Sequence, residues 1–202
     1  YLDEQYAYGF FREDLGIEVE LHWALAHRKF AFRADPEAAW QRSREIEIGG
    51  TAVRTLRLDD LIVFLCAHGA KHEWKQLVWV TDIAELLYRY PDLDGDQVIE
   101  RSKEDKAQQM LRLGLLLAHR LFQAPLSPRL MAFCQHDPAI YRLSDQVIGQ
   151  VFQKEERESR FSERVRFSAV AHDDWYGKGR NLLQNFRLAV IPSSQDPDVV
   201  SL

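Results

Sequence analysis

The sequence predicts an α+β fold that is mainly α, with a small N-terminal antiparallel or mixed sheet followed by a helical bundle. Three observations lead to it. Residues 17–25 alternate apolar and polar, two β-prone runs flank Gly49-Gly50, and from Leu58 onward the apolar period changes from two residues to three or four. The change of period divides the chain into an α/β part over residues 1–57 and a helical domain over residues 58–202.

In order along the chain, Ile17, Val19, Leu21 and Trp23 fall on one side of a half-buried strand, with Glu18, Glu20 and His22 on the side away from the core. Residues 35–41 open with Asp-Pro and continue Ala38, Ala39, Trp40, the pattern of a short capped helix. Residues 44–48 and 51–56 form a hairpin, because a Gly-Gly loop tolerates the positive φ angles of tight turns. Leu61, Phe64, Leu65, His68 and His72 then repeat at helical steps behind Asp59 or Asp60, which serve as cap or first-turn acids. Further helical runs are expected over residues 74–90, 105–122, 128–134, 137–153, 158–175 and 181–190, with no strand after Leu58. Asp92, Asp94 and Asp96 lack the glycine and the twelfth-place glutamate of a calcium loop and are expected to cap a helix.

Composition narrows the function. The formal charge of −5 comes from 31 acidic and 26 basic residues evenly mixed, so no basic footprint for long nucleic acid exists. Cys66 and Cys134 sit in apolar runs without disulfide or metal spacing and are expected to be reduced core residues. Charge interrupts every apolar stretch before the roughly 18 residues of a membrane span, so a cytoplasmic protein without membrane contact is expected. Tyr1 in the first place and the element-like residues 198–202 at the end predict a piece of a longer protein.

Four runs in order, Ile17-Glu18-Val19-Glu20-Leu21-His22-Trp23, Asp59-Asp60-Leu61, residues 65–74 (LCAHGAKHEW) and residues 77–84 (LVWVTDIA), resemble the uncharacterised bacterial nucleotidyltransferase family of the polymerase-β-like superfamily. Residues 191–192 and 196–202 are similar to that family's closing segment. The resemblance implies that residues 1–57 are part of a nucleotidyltransferase core and that the chemistry is Mg2+-dependent transfer of a nucleotidyl group from a nucleoside triphosphate. The acceptor, a small molecule or a protein, is unknown. It further implies that Glu20 is the third catalytic carboxylate and a metal ligand, shared with two aspartates expected upstream of Tyr1, so that the 202-residue chain alone is expected to be inactive. Members carry aspartate at the Glu20 position, and glutamate is longer by one methylene.

His22 shares the face of Glu20 and is a candidate to orient a ligand. His68 and His72 are four apart, a spacing that can bind zinc, yet Gly69 and Lys71 stand where zinc-dependent hydrolases need glutamate, so no zinc is expected. On an unbroken helix His68, His72, Lys75, Trp79 and Asp82 make one stripe. Two readings of it stand: a substrate-binding cleft, with His22, His68, His72, Trp79 and Asp82 on the acceptor side, or an internal network of mutually satisfied polar groups. His172, Asp173 and Asp174 are expected on a solvated face. The alternative function is a helical protein-interaction module with no catalytic activity.

Overall fold

The computed structural model describes residues 6–27, 30–135, 137–152, 167, 170, 171, 173 and 199–201. Two strands open it: β1 (Ala7–Arg12) and β2 (Ile17–His22) pair antiparallel, from Ala7 opposite His22 to Arg12 opposite Ile17. Their turn needs Gly16 at φ +60°. β1 is not legible in sequence because Tyr8, Phe10 and Phe11 place aromatic side chains on both of its faces and break the alternation.

The expected strand at β2 is present, but its core face is a misreading. Ile17, Val19 and Leu21 are 49%, 58% and 62% exposed, since β2 pairs only with β1 and no other described element covers its apolar side. The strand also ends at His22, so Trp23 turns away from that row.

After β2 come α1 (Pro36–Gln41), β3 (Arg44–Ile48) and β4 (Thr51–Thr55). Asp35 caps α1 through the amides of Glu37 and Ala38, with Pro36 in the first turn. The β3–β4 hairpin turns on Gly49 and Gly50, both at positive φ, in register from Ile48 opposite Thr51.

The helices α2 (Leu58–Lys71), α3 (Val78–Arg89), α4 (Gly95–Glu104), α5 (Gln108–Phe122), α6 (Pro128–Gln135) and α7 (Pro138–Val151) follow among the described residues. Asp94 caps α4 and Asp137 caps α7, each through its carboxylate, so the aspartate triplet is a capping turn as expected. None of the described helices is long and apolar enough to cross a membrane.

α5 is the central helix, packed against α2, α3, α4, α6 and α7, with Met110, Leu111, Leu113, Leu115, Leu116 and Leu117 buried. Gly114 lets α2 approach it, because a Cβ there would lie 2.5 Å from Cys66 Sγ. Cys66 and Cys134 are free and buried, and burial raises both thiol pKa values, that of Cys134 to about 12.

Asp59 and Asp60 are first-turn acids of α2, one of the two roles expected, while its N-cap is Arg57; both are buried and pair with Arg57, Arg42 and Arg101. Two further expectations change. Asp173 is not on a solvated face: its carboxylate accepts from the amides of Gln108 and Gln109 at 2.7 Å, capping α5, where Ala107 has no side-chain acceptor to offer. Finally, β5 (Val199–Ser201) pairs parallel with β1 and gives the sheet order β2-β1-β5. So short a strand owes its conformation to the edge it docks on, and nothing local announces it. Of the helix expected over residues 158–175, only 167, 170, 171 and 173 are described, the first three of them helical. The helix over 181–190 and the loop at 193–197 lie outside the described residues.

Candidate active site

The site begins where α2 stops. After Lys71 the chain passes through His72 at the C-cap, then Glu73 and Trp74, both at φ +55°. The Trp74 amide donates to the Gly69 carbonyl at 2.9 Å, and the indole folds back, fully buried, over Gly69. The chain then enters α3 at Val78. A single helix carrying the stripe from His68 to Asp82 is therefore not formed, because Trp74 is apolar enough to leave the helical path and fill the space above the two glycines.

The turn still brings most of the stripe together. His72 stacks on Trp79 with ring centroids 4.9 Å apart, His68 lies 4.8 Å from His72, and His68 meets the Trp79 edge at 5.9 Å. Asp82 is exposed on α3, where its charge reaches His68.

β2 supplies the other wall. Glu20 is exposed and lies 3.0 Å from His22 Nε2 through its Oε2 atom. Tyr6 ties the two walls: its carbonyl accepts from the amides of Trp23 and Ala24, its ring meets His22 edge-on at 5.4 Å, and its hydroxyl accepts from Lys71 Nζ. His27 approaches the same ring at 6.1 Å. Glu20, His22, His68, His72, Trp79 and Asp82 are thus neighbours, joined by Tyr6, His27 and Lys71, which sequence reasoning missed. Lys71 had one signal, its place between the paired histidines, but it lies off their helical row. Tyr6 had none, since its part depends on the β1–β2 pairing.

Burial disfavours the charged forms of His68 and His72. Burial lowers the pKa of His68, with Lys71 and His22 adding and Glu20 and Asp82 opposing. Burial, with Lys71, His68 and Lys75, pushes His72 down to about 4 against the pull of Glu20. At neutral pH the pair can accept hydrogen bonds and present a flat stacking surface, while the Lys71 ammonium sits over the Tyr6 ring. This combination suits a ligand with a phosphate near an ionisable hydroxyl.

A family model described as uncharacterised nucleotidyltransferase matches residues 1–123, a stretch that holds every residue of the site and ends just past α5. The chain belongs to the uncharacterised nucleotidyltransferase family. No curated protein and no solved structure matches it.

Proposed function

We propose that this chain forms one side of the active site of a nucleotidyltransferase that moves a nucleotidyl group from a nucleoside triphosphate to an acceptor hydroxyl. The observation that carries the reading is the junction of the β2 polar face with the end of α2 through Tyr6 and Lys71, within the stretch that the family model matches. The acceptor oxygen attacks the α-phosphorus, a new P–O bond forms, and the bond to the β-phosphate oxygen breaks, releasing pyrophosphate. The Glu20 carboxylate takes the proton of the attacking hydroxyl, and His22 holds that carboxylate in place. Lys71, positioned by the Tyr6 hydroxyl, donates to phosphate oxygens, and neutral His68 and His72 with Trp79 form the wall against which the acceptor rests.

Magnesium requires several oxygen ligands. Among the described residues no group of three His, Cys, Asp or Glu side chains could hold a metal ion, so Glu20 would hold magnesium only together with substrate phosphates or carboxylates from outside them.

A pyrophosphate-release assay tests the reading. In protein that turns over a nucleoside triphosphate, Glu20→Gln is expected to lower kcat by about 100-fold with the melting temperature unchanged, whereas Glu18→Gln stays near wild type. Equal, small effects of both substitutions would return Glu20 to the role of a surface acid. The second reading, an interaction module without catalysis, is favoured by the exposed row of Ile17, Val19 and Leu21.

A further inference from the structure

A second cleft of about 340 Å³ opens beside the site, and His22 lines both. Its walls include Trp23, Trp40, Arg54, Ser43 and Thr55. Its volume lies at the lower end of small-ligand sites, which span about 300–1,000 Å³, a size that suits one base with its sugar. Trp40 is 55% exposed and Trp23 37%, unusual for indoles in a folded chain unless something stacks on them.

Arg54 reaches over this cleft. Its guanidinium carbon stands 4.3 Å from the centre of the Trp40 ring, and one Nη donates to the Trp40 carbonyl at 3.2 Å. Among the described residues it makes no ion pair, although Glu45 stands opposite it on β3, and Arg44 and Arg112 likewise lie over aromatic rings without a paired carboxylate. The cleft lining contains no Asp or Glu. Two exposed indoles and one guanidinium free of an ion pair suit a planar ring that carries negative charge.

We infer that this cleft holds the nucleoside part of the nucleoside triphosphate, the base stacking on Trp23 and Trp40 and Arg54 taking a phosphate oxygen, with little discrimination among bases. The choice of a nucleotide as ligand rests on the nucleotidyl-transfer reading. The tolerance of base is expected because the lining has no Asn, Gln, Asp or Glu, leaving only the Ser43 and Thr55 hydroxyls, His22 and Arg54 to meet a base edge, while every base has a face for an indole. Through His22, 3.0 Å from Glu20, the cleft is continuous with the proposed site of proton transfer.

Isothermal titration of the 202-residue chain with ATP, GTP, CTP and UTP, and with adenosine and tripolyphosphate as partial ligands, tests this. The four triphosphates are expected to bind within about tenfold of one another. Loss of one stacked base costs about 5- to 150-fold, so Trp40→Ala should weaken ATP and adenosine by that amount and leave tripolyphosphate alone, with Trp40→Phe restoring most of the binding. Arg54→Gln should weaken ATP and tripolyphosphate but not adenosine. Binding of ATP that Trp40→Ala and Trp23→Ala both leave unchanged overturns the cleft assignment while nucleotidyl transfer stands. Binding of a planar carboxylate such as nicotinate in place of ATP, lost in Trp40→Ala, also overturns it and gives the cleft to the acceptor. Failure of the wild-type chain to bind any triphosphate overturns the cleft assignment, and an unchanged Glu20→Gln turnover separately removes the reading on which it rests.

Discussion

Gly69→Ala probes the turn that builds the site. A Cβ at this position would lie 2.3, 2.5 and 2.6 Å from three carbons of the Trp74 ring, far inside van der Waals contact. The ring is fully buried in the core between α2 and α5, so it cannot swing out to solvent to relieve the contact. Overpacking of this kind costs about 1–3 kcal/mol, and an immovable aromatic ring puts the cost near 3. Alanine in place of a helical glycine returns at most about 1 kcal/mol, leaving a net loss of about 2 kcal/mol. For a chain of this size that is a fall of roughly 4–8 °C in Tm. Thermal denaturation followed by near-ultraviolet circular dichroism reads it. Gly149→Ala is the control, since a Cβ there meets nothing within 4 Å, and it is expected to raise Tm slightly. If Gly69→Ala is as stable as Gly149→Ala, the packing account of the turn is wrong.

Asp60→Ala is expected to cost about 3 kcal/mol in urea denaturation, because Asp60 is 5% exposed and pairs with Arg42 at 2.8 Å and Arg101 at 3.1 Å, leaving buried guanidinium charge when it goes. Asp173→Ala should lower stability by about 1 kcal/mol, since the first amides of α5 lose their acceptor; an unchanged midpoint would rule out the remote cap. The pH dependence carries two opposed contributions. His72 has its folded pKa depressed from 6.5 to about 4, so the unfolded chain binds the extra proton and stability falls as pH drops between those values; His72→Gln should flatten that slope. Asp105, raised by burial from 3.8 to about 6, works in reverse, with the folded chain holding the extra proton and stability gained as pH falls from about 6 toward 3.8, a gain that Asp105→Asn should remove. Identical pH profiles for wild type and both variants would contradict the assigned burial.

Elements with a local cause were legible in the sequence. Asp35-Pro36 starts a helix, Gly49-Gly50 turns a hairpin, the acidic triplet caps α4, and the apolar period after Leu58 makes α2 and α5, because caps, turns and amphipathic periods act over a few residues. The alternation in residues 17–22 likewise fixed β2 and set Glu20 beside His22 on one face, and the spacing of four put His68 beside His72. Family membership was also carried by these linear runs.

Tertiary structure decided what depends on distant partners. The sequence placed a new helical run from residue 74, but the direction of the α2–α3 turn comes from Trp74 settling between Gly69 and Gly114, residues 45 positions apart in the chain. The exposure of Ile17, Val19 and Leu21 reflects which surfaces meet β2, and strand alternation is blind to what stands opposite. Asp173 caps a helix 65 residues away, and Tyr6 reaches Lys71 across an equal separation. Sequence thus set which side chains share a face, since that follows from backbone period; which faces meet, and so where the site lies, was set by packing, since burial and hydrogen-bond satisfaction are properties of the whole fold.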